Sequence, residues 1–152
     1  MILEYADYAM AALLVAATLI ELRTGRIPNW LTILPLVLFV AVLALAEDRT
    51  LLYFQAGQGA AMFVLGLVLF AIGGAGAGAV KLLAGAALFV PFAKAFYTFL
   101  IFLGLFFVCA FLFVQVRKAF GAEDSKWHFL AKQVIPLSLP IAIAGIIGML
   151  VI

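Results

Sequence analysis

Six apolar runs, near residues 5–22, 31–46, 57–73, 80–92, 96–116 and 134–152, take up most of this chain, and nearly all of its charge lies at their edges and in the connections between them. A soluble domain could not keep so much apolar surface out of water. With 69% hydrophobic residues, 11% charged residues and a mean hydropathy of +1.34, the composition calls for a bilayer. A crossing takes about 20 residues, so 152 residues are expected to form one all-α polytopic domain, 1–152, of about six transmembrane helices. The first run reads as a retained helix, because Glu4 and Asp7 stand where a cleaved signal would carry basic residues.

The charges divide by connection. Arg23 and Arg26 lie in the first, Lys81 borders the third, and Arg117, Lys118, Lys126 and Lys132 lie in the fifth, whereas Arg49 and Lys94 are the basic residues of the second and fourth. Basic connections favour the cytoplasm, so both termini are expected outside. The fifth connection, about Gln115 to Gln133, interleaves Trp127, Phe129 and Leu130 with Lys126, His128 and Lys132, a pattern suited to the headgroup level, and Asp124 and Ser125 could cap a short helix there.

Two polar-edged stretches stand out. The first is Glu21-Leu22-Arg23-Thr24-Gly25-Arg26-Ile27-Pro28-Asn29-Trp30-Leu31-Thr32, and the second is Gly73-Gly74-Ala75-Gly76-Ala77-Gly78-Ala79-Val80-Lys81-Leu82. Pro28 suits the first turn of the second helix and biases Ile27 away from helix, so the chain should turn there. The glycines do not make a phosphate loop, since Lys81 is separated from Gly78 and followed by Leu82. Gly74 and Gly78 form a small-xxx-small pair that could let helices approach closely. His128 is the single histidine and Cys109 the single cysteine, so no metal site or other cofactor is expected. Ser125, His128 and Asp124 share one short connection without the context of a nucleophile elbow. Phenylalanines 96, 99, 102 and 106 recur at helical spacing and should face lipid or neighbouring helices.

Together the two stretches resemble the active-site motifs of the type IV prepilin peptidases, intramembrane aspartyl peptidases in which one Asp precedes an Arg-Ile-Pro-Asn run and a second follows a Gly-rich run before Val-Lys-Leu. A third stretch, Ile135-Pro136-Leu137-Ser138-Leu139-Pro140-Ile141-Ala142, is similar to the Pro-Tyr-x-Pro/Ala-Ile-Ala signature of the last helix in these enzymes, with Leu137 at the Tyr position. The chain looks most like the short, single-domain form of tight-adherence pilus systems, which implies a multi-pass protein of a bacterial inner membrane. By this resemblance Glu21 and Ala79 stand at the catalytic aspartate positions, and Arg26, Pro28, Asn29, Gly76, Gly78, Lys81 and Pro136 are the remaining motif and binding positions.

Aspartyl peptidases share one proton between two carboxyls, one taking a proton from water while the other donates to the scissile carbonyl. Ala79 offers no carboxyl, and the extra methylene of Glu21 displaces its oxygens from an Asp geometry. The resemblance therefore implies a catalytically inactive homologue that binds prepilin-like N-terminal helices or aids assembly of a pilus or secretion machine. Its partners would be membrane lipids and the membrane proteins of that machine, with no nucleic acid. The alternative is an active prepilin leader peptidase inactivated by an Asp-to-Ala substitution at position 79. For Glu21 two readings stay open: an ion pair with Lys81, Arg23 or Arg26, or simple solvation at the interface. A small transporter is disfavoured by the scarcity of ionisable residues within the runs.

Overall fold

The structure, a computed structural model, describes residues 1–120 and 135–152, and these are almost wholly helical. The helices are α1 (Ile2–Thr24), α2 (Asn29–Leu45), α3 (Thr50–Ala71), α4 (Ala77–Phe89), α5 (Ala95–Phe120), which a short 3₁₀ turn at Phe92–Lys94 leads into, and α6 (Ser138–Ile146), which runs on as a π-helical turn over Ile147–Val151. The expectations for the interfacial segment, its Asp124-Ser125 cap and His128 fall outside the described residues. Helices α1 and α3 and the segment Phe92–Phe120 are long and apolar enough to cross a membrane, while α2, α4 and the Ser138–Val151 helix are apolar but shorter.

Helix boundaries follow local chemistry. Gly25 ends α1 with φ +72°, the left-handed geometry open to glycine, and its N–H donates to the Glu21 carbonyl at 2.7 Å. Pro28 falls one residue earlier than expected, as the residue ahead of α2 with φ −67° and ψ 146°. Arg49 folds back onto the Ala46 and Ala44 carbonyls at 3.3 and 3.2 Å, covering orphan acceptors at the end of α2. The Thr50 N–H donates to Asp48 Oδ1 at 2.9 Å, and that bond holds the exposed Asp48 carboxyl below its ordinary range. Helix α3 starts at Thr50, ahead of the apolar run that begins near 57, because Gln55 and Gln58 lower hydropathy without breaking a helix.

The bundle is organised around α4. It packs against α3 along most of its length, and against α2, α6 and α1 on its other sides. Small residues set these distances. A Cβ on Gly66 would lie 2.7 Å from Val80 Cγ1, and one on Gly85 would lie 2.9 Å from Pro35 Cβ. Gly59 meets Leu88 and Gly148 meets Thr98 just as closely, so the packing glycines of this fold are these. The expected Gly74–Gly78 pair is not one of them. Gly74 sits in the turn after α3 with the Leu69 carbonyl as its neighbour, and only Gly78 of the two touches another element. Phe39 and Phe89 close the α2–α4 contact edge to face, centroids 5.9 Å apart.

Helix α4 is only 13 residues long, about 20 Å, against a hydrocarbon thickness of about 30 Å. Its last residues, Ala87, Leu88 and Phe89, and the Val90 that follows are buried in the bundle, so their carbonyls need a donor from the protein. Gln58 of α3 supplies one, giving its side-chain amide to the Ala87 carbonyl at 2.9 Å and reaching Val90 at 3.4 Å.

Two glycines on α3 provide a test. Gly66→Leu would force a side chain into Val80, whereas nothing lies within 4 Å of a Cβ on Gly57. We expect Gly66→Leu to destabilise the detergent-solubilised protein by about 1–3 kcal/mol, read as a lower apparent melting temperature, and Gly57→Leu to leave it unchanged. Equal effects would mean that α3 does not lie on α4 as described.

Candidate functional site

The site is assembled where three helix ends meet. The turn between α1 and α2 is tight: Thr24 Oγ1 lies within reach of the Ile20 and Arg26 carbonyls, at 2.8 and 3.1 Å, and Ile27 is pushed inward and buried. Helix α4 begins after Gly76, so Gly78 and Ala79 both fall in its first turn. Gly78 rests on Ile27, where an added Cβ would come within 3.0 Å of Ile27 Cβ and 3.2 Å of its carbonyl oxygen. Lys81, one turn further along, donates to Asn29 Oδ1 at 3.2 Å, across 52 residues of sequence. The Arg26–Asn29 run and the Gly-rich stretch are thus joined by one close backbone approach and one polar bond. Arg26 is exposed, and Gly76 has open space around it. Pro28 lies just ahead of α2 and shapes this corner, whereas Pro35, inside α2, packs on Gly85 away from it.

The third element is the start of α6. Pro136 is buried just before it, and Pro140 in its first turn has no N–H, so Ser138 and Leu139 carry the donors that this turn must place. The Ser138 N–H donates to Glu21 Oε2 at 2.8 Å, across 117 residues of sequence. A carboxylate at the first turn of a helix also meets the positive end of its dipole. Ser138 is fully buried, and its hydroxyl stands beside the same carboxylate without a hydrogen bond of good geometry to any of the described residues.

This arrangement corrects the ion-pair expectation for Lys81. Glu21 is held by a backbone N–H, while Lys81 turns to Asn29 on the α2 side, and among the described residues no ion pair joins the two. Ala79 is buried and lines an apolar cavity of about 200 Å³ together with Leu137 and Ile141 at the start of α6 and Phe102 and Phe106 of α5. Leu137 and Ser138 therefore address positions 79 and 21 separately: Leu137 shares the cavity with Ala79, and the next N–H binds Glu21. Among the described residues, no acid lines that cavity. Chemically the corner offers one hydrogen-bonded carboxylate and an apolar second position. Sequence reasoning misses the Ser138 N–H, since a backbone donor has no residue signature, and misses Ile27 as the seat of Gly78.

Helices long and apolar enough to span a membrane, with these two stretches joined at one end, define the class to which this protein belongs. The profile of the type IV leader peptidase family matches residues 8–114, which include Glu21, the Arg26–Asn29 run and the stretch from Gly73 to Lys81, and the chain belongs to that family. The match ends before Ile135–Ala142, so the third stretch rests on its own resemblance. No curated protein and no solved structure matches the chain.

Removing the Glu21 carboxylate should expose its role. Glu21→Ala leaves a buried donor without an acceptor, at a cost of about 1–3 kcal/mol, whereas Glu21→Gln keeps an amide oxygen for Ser138 and should lose less. Combined with Lys81→Met, the Glu21→Ala loss should be additive in thermal melts, because the two side chains have different partners. A coupling well above about 0.5 kcal/mol would contradict this arrangement.

Proposed function

We propose that this chain is a prepilin-peptidase-like protein of a bacterial inner membrane that has lost two-carboxylate chemistry and serves by binding, recognising prepilin-like N-terminal helices or membrane proteins of a pilus or secretion machine. The observation that carries this reading is the separation at the family positions: Glu21 is engaged with the Ser138 N–H, while position 79 is an alanine in an apolar cavity. A shared proton needs two carboxyls side by side. The proposed topology has six spans, with both termini outside and the site at the cytoplasmic end, where the basic residues Arg23, Arg26 and Lys81 fall.

The second reading, a leader peptidase disabled by an Asp-to-Ala substitution at position 79, draws support from the intact join between the two motifs, Gly78 on Ile27 and Lys81 on Asn29.

Restoration separates them. Leader removal from a prepilin-like substrate of the same bacterium should be absent in the chain as it stands and in Ala79→Asp, and should appear only when Glu21→Asp is added, because the shorter acid reverts to the family geometry. Full cleavage by Ala79→Asp alone would establish the disabled-enzyme reading instead. For topology, in a Cys109→Ala background, a cysteine at Thr24 should react with an impermeant reagent only from the cytoplasmic side and one at Asp48 only from the other. Labelling of both from one side would overturn the six-span arrangement.

A further inference from the structure

We propose that the slot between α3 and α5 is a binding site for one lipid acyl chain. Two cavities adjoin along α4, the one of about 200 Å³ beside Ala79 and a smaller one of about 50 Å³ beside Gln58, and both are bounded by Leu83, Phe102 and Ile141. Along α3 the lining runs from Gln58 to Leu69, about 16 Å at the helical rise. That is close to one leaflet, half of a hydrocarbon core of about 30 Å.

The lining selects hydrocarbon. The larger cavity has no polar side chain among the described residues, so water entering it would find few partners, and an apolar void of this kind stays dry. Its volume exceeds the roughly 150 Å³ of an apolar cavity able to hold benzene. In the smaller cavity the side-chain donors of Gln58 and Thr98 are given to the Ala87 and Lys94 carbonyls, while Gln58 Oε1 is buried without a partner among the described residues, so the polar end of the slot is here. Left empty, the slot would forfeit dispersion contacts along its whole lining.

The surroundings supply the occupant. Helix α3 and the segment that contains α5 are both candidate spans, and the two make few direct contacts with each other across the slot. Leu103 and Phe107, which line the larger cavity, are 36% and 69% exposed, so it opens onto a surface that a bilayer bathes in acyl chains. A helix is about 10 Å across, so an extended acyl chain is much the slimmer occupant for a cavity of this volume. Alanine at position 79 keeps the wall apolar where a carboxylate would stand. The site depends on these walls alone, independently of any partner helix.

The test uses the full chain in nanodiscs containing a phospholipid with a diazirine within one acyl chain, with labelled residues mapped by mass spectrometry after irradiation. Leu83, Phe102 and Ile141 should be labelled several-fold more than Met10 and Leu31, which are buried but line neither cavity. Ala79→Leu, which fills the larger cavity, should remove most of that excess without lowering the melting temperature. Leu103→Trp at the mouth should do the same, should the first variant fail to fold. Slot labelling no higher than at Met10 and Leu31 would overturn the proposal, as would labelling unchanged by both substitutions. A photoreactive residue at position 79 that captured a polypeptide in place of lipid would assign the slot to a protein partner and overturn it too.

Discussion

Hydrocarbon offers no hydrogen bonds, so each helix end buried in the bundle has to find its partner within the protein. Two long-range bonds meet that demand. Gln58 reaches from α3 to the terminal carbonyls of α4, and Glu21 reaches from α1 to the first N–H of α6. Both residues are polar within apolar helices, and both would be costly there without such a partner. Their placement fixes the register of α3 on α4 and of α6 on α1, and the close contacts of Gly66 with Val80 and of Gly145 with Leu14 accord with that register.

The two motif stretches meet at one corner, which carries the Glu21 carboxyl and an alanine at position 79. Gly78 lies on Ile27 and Lys81 on Asn29, so the join between the two stretches is made by residues other than 21 and 79. Under the proposed reading, an acid that would have shared a proton now anchors a helix end. The cavity beside Ala79 becomes a hydrocarbon site by the same change.

Much of this is legible in the sequence. The apolar runs locate the helices, Gly25 and Pro28 mark the turn after α1, and the two motif stretches point to one site. The start of α3 is hidden because Gln55 falls in what reads as a connection ahead of the run near 57, although it does not break a helix. Gly74 and Gly78 look like a packing pair because spacing alone does not reveal that α3 has already ended. The partner of Glu21 is illegible for a deeper reason: it is a backbone N–H 117 residues away, and side-chain chemistry points to lysine or arginine instead.

The anchoring of α6 by Glu21 is the central claim, and hydrogen exchange at the Ser138 amide tests it most directly. A first-turn amide has no intrahelical acceptor, so its protection rests on Glu21. Slow exchange at Ser138 is expected in the native chain and much faster exchange in Glu21→Ala, with Ala142 and Ala144 further along α6 unchanged. Equal exchange at Ser138 in the two proteins would contradict the anchoring role.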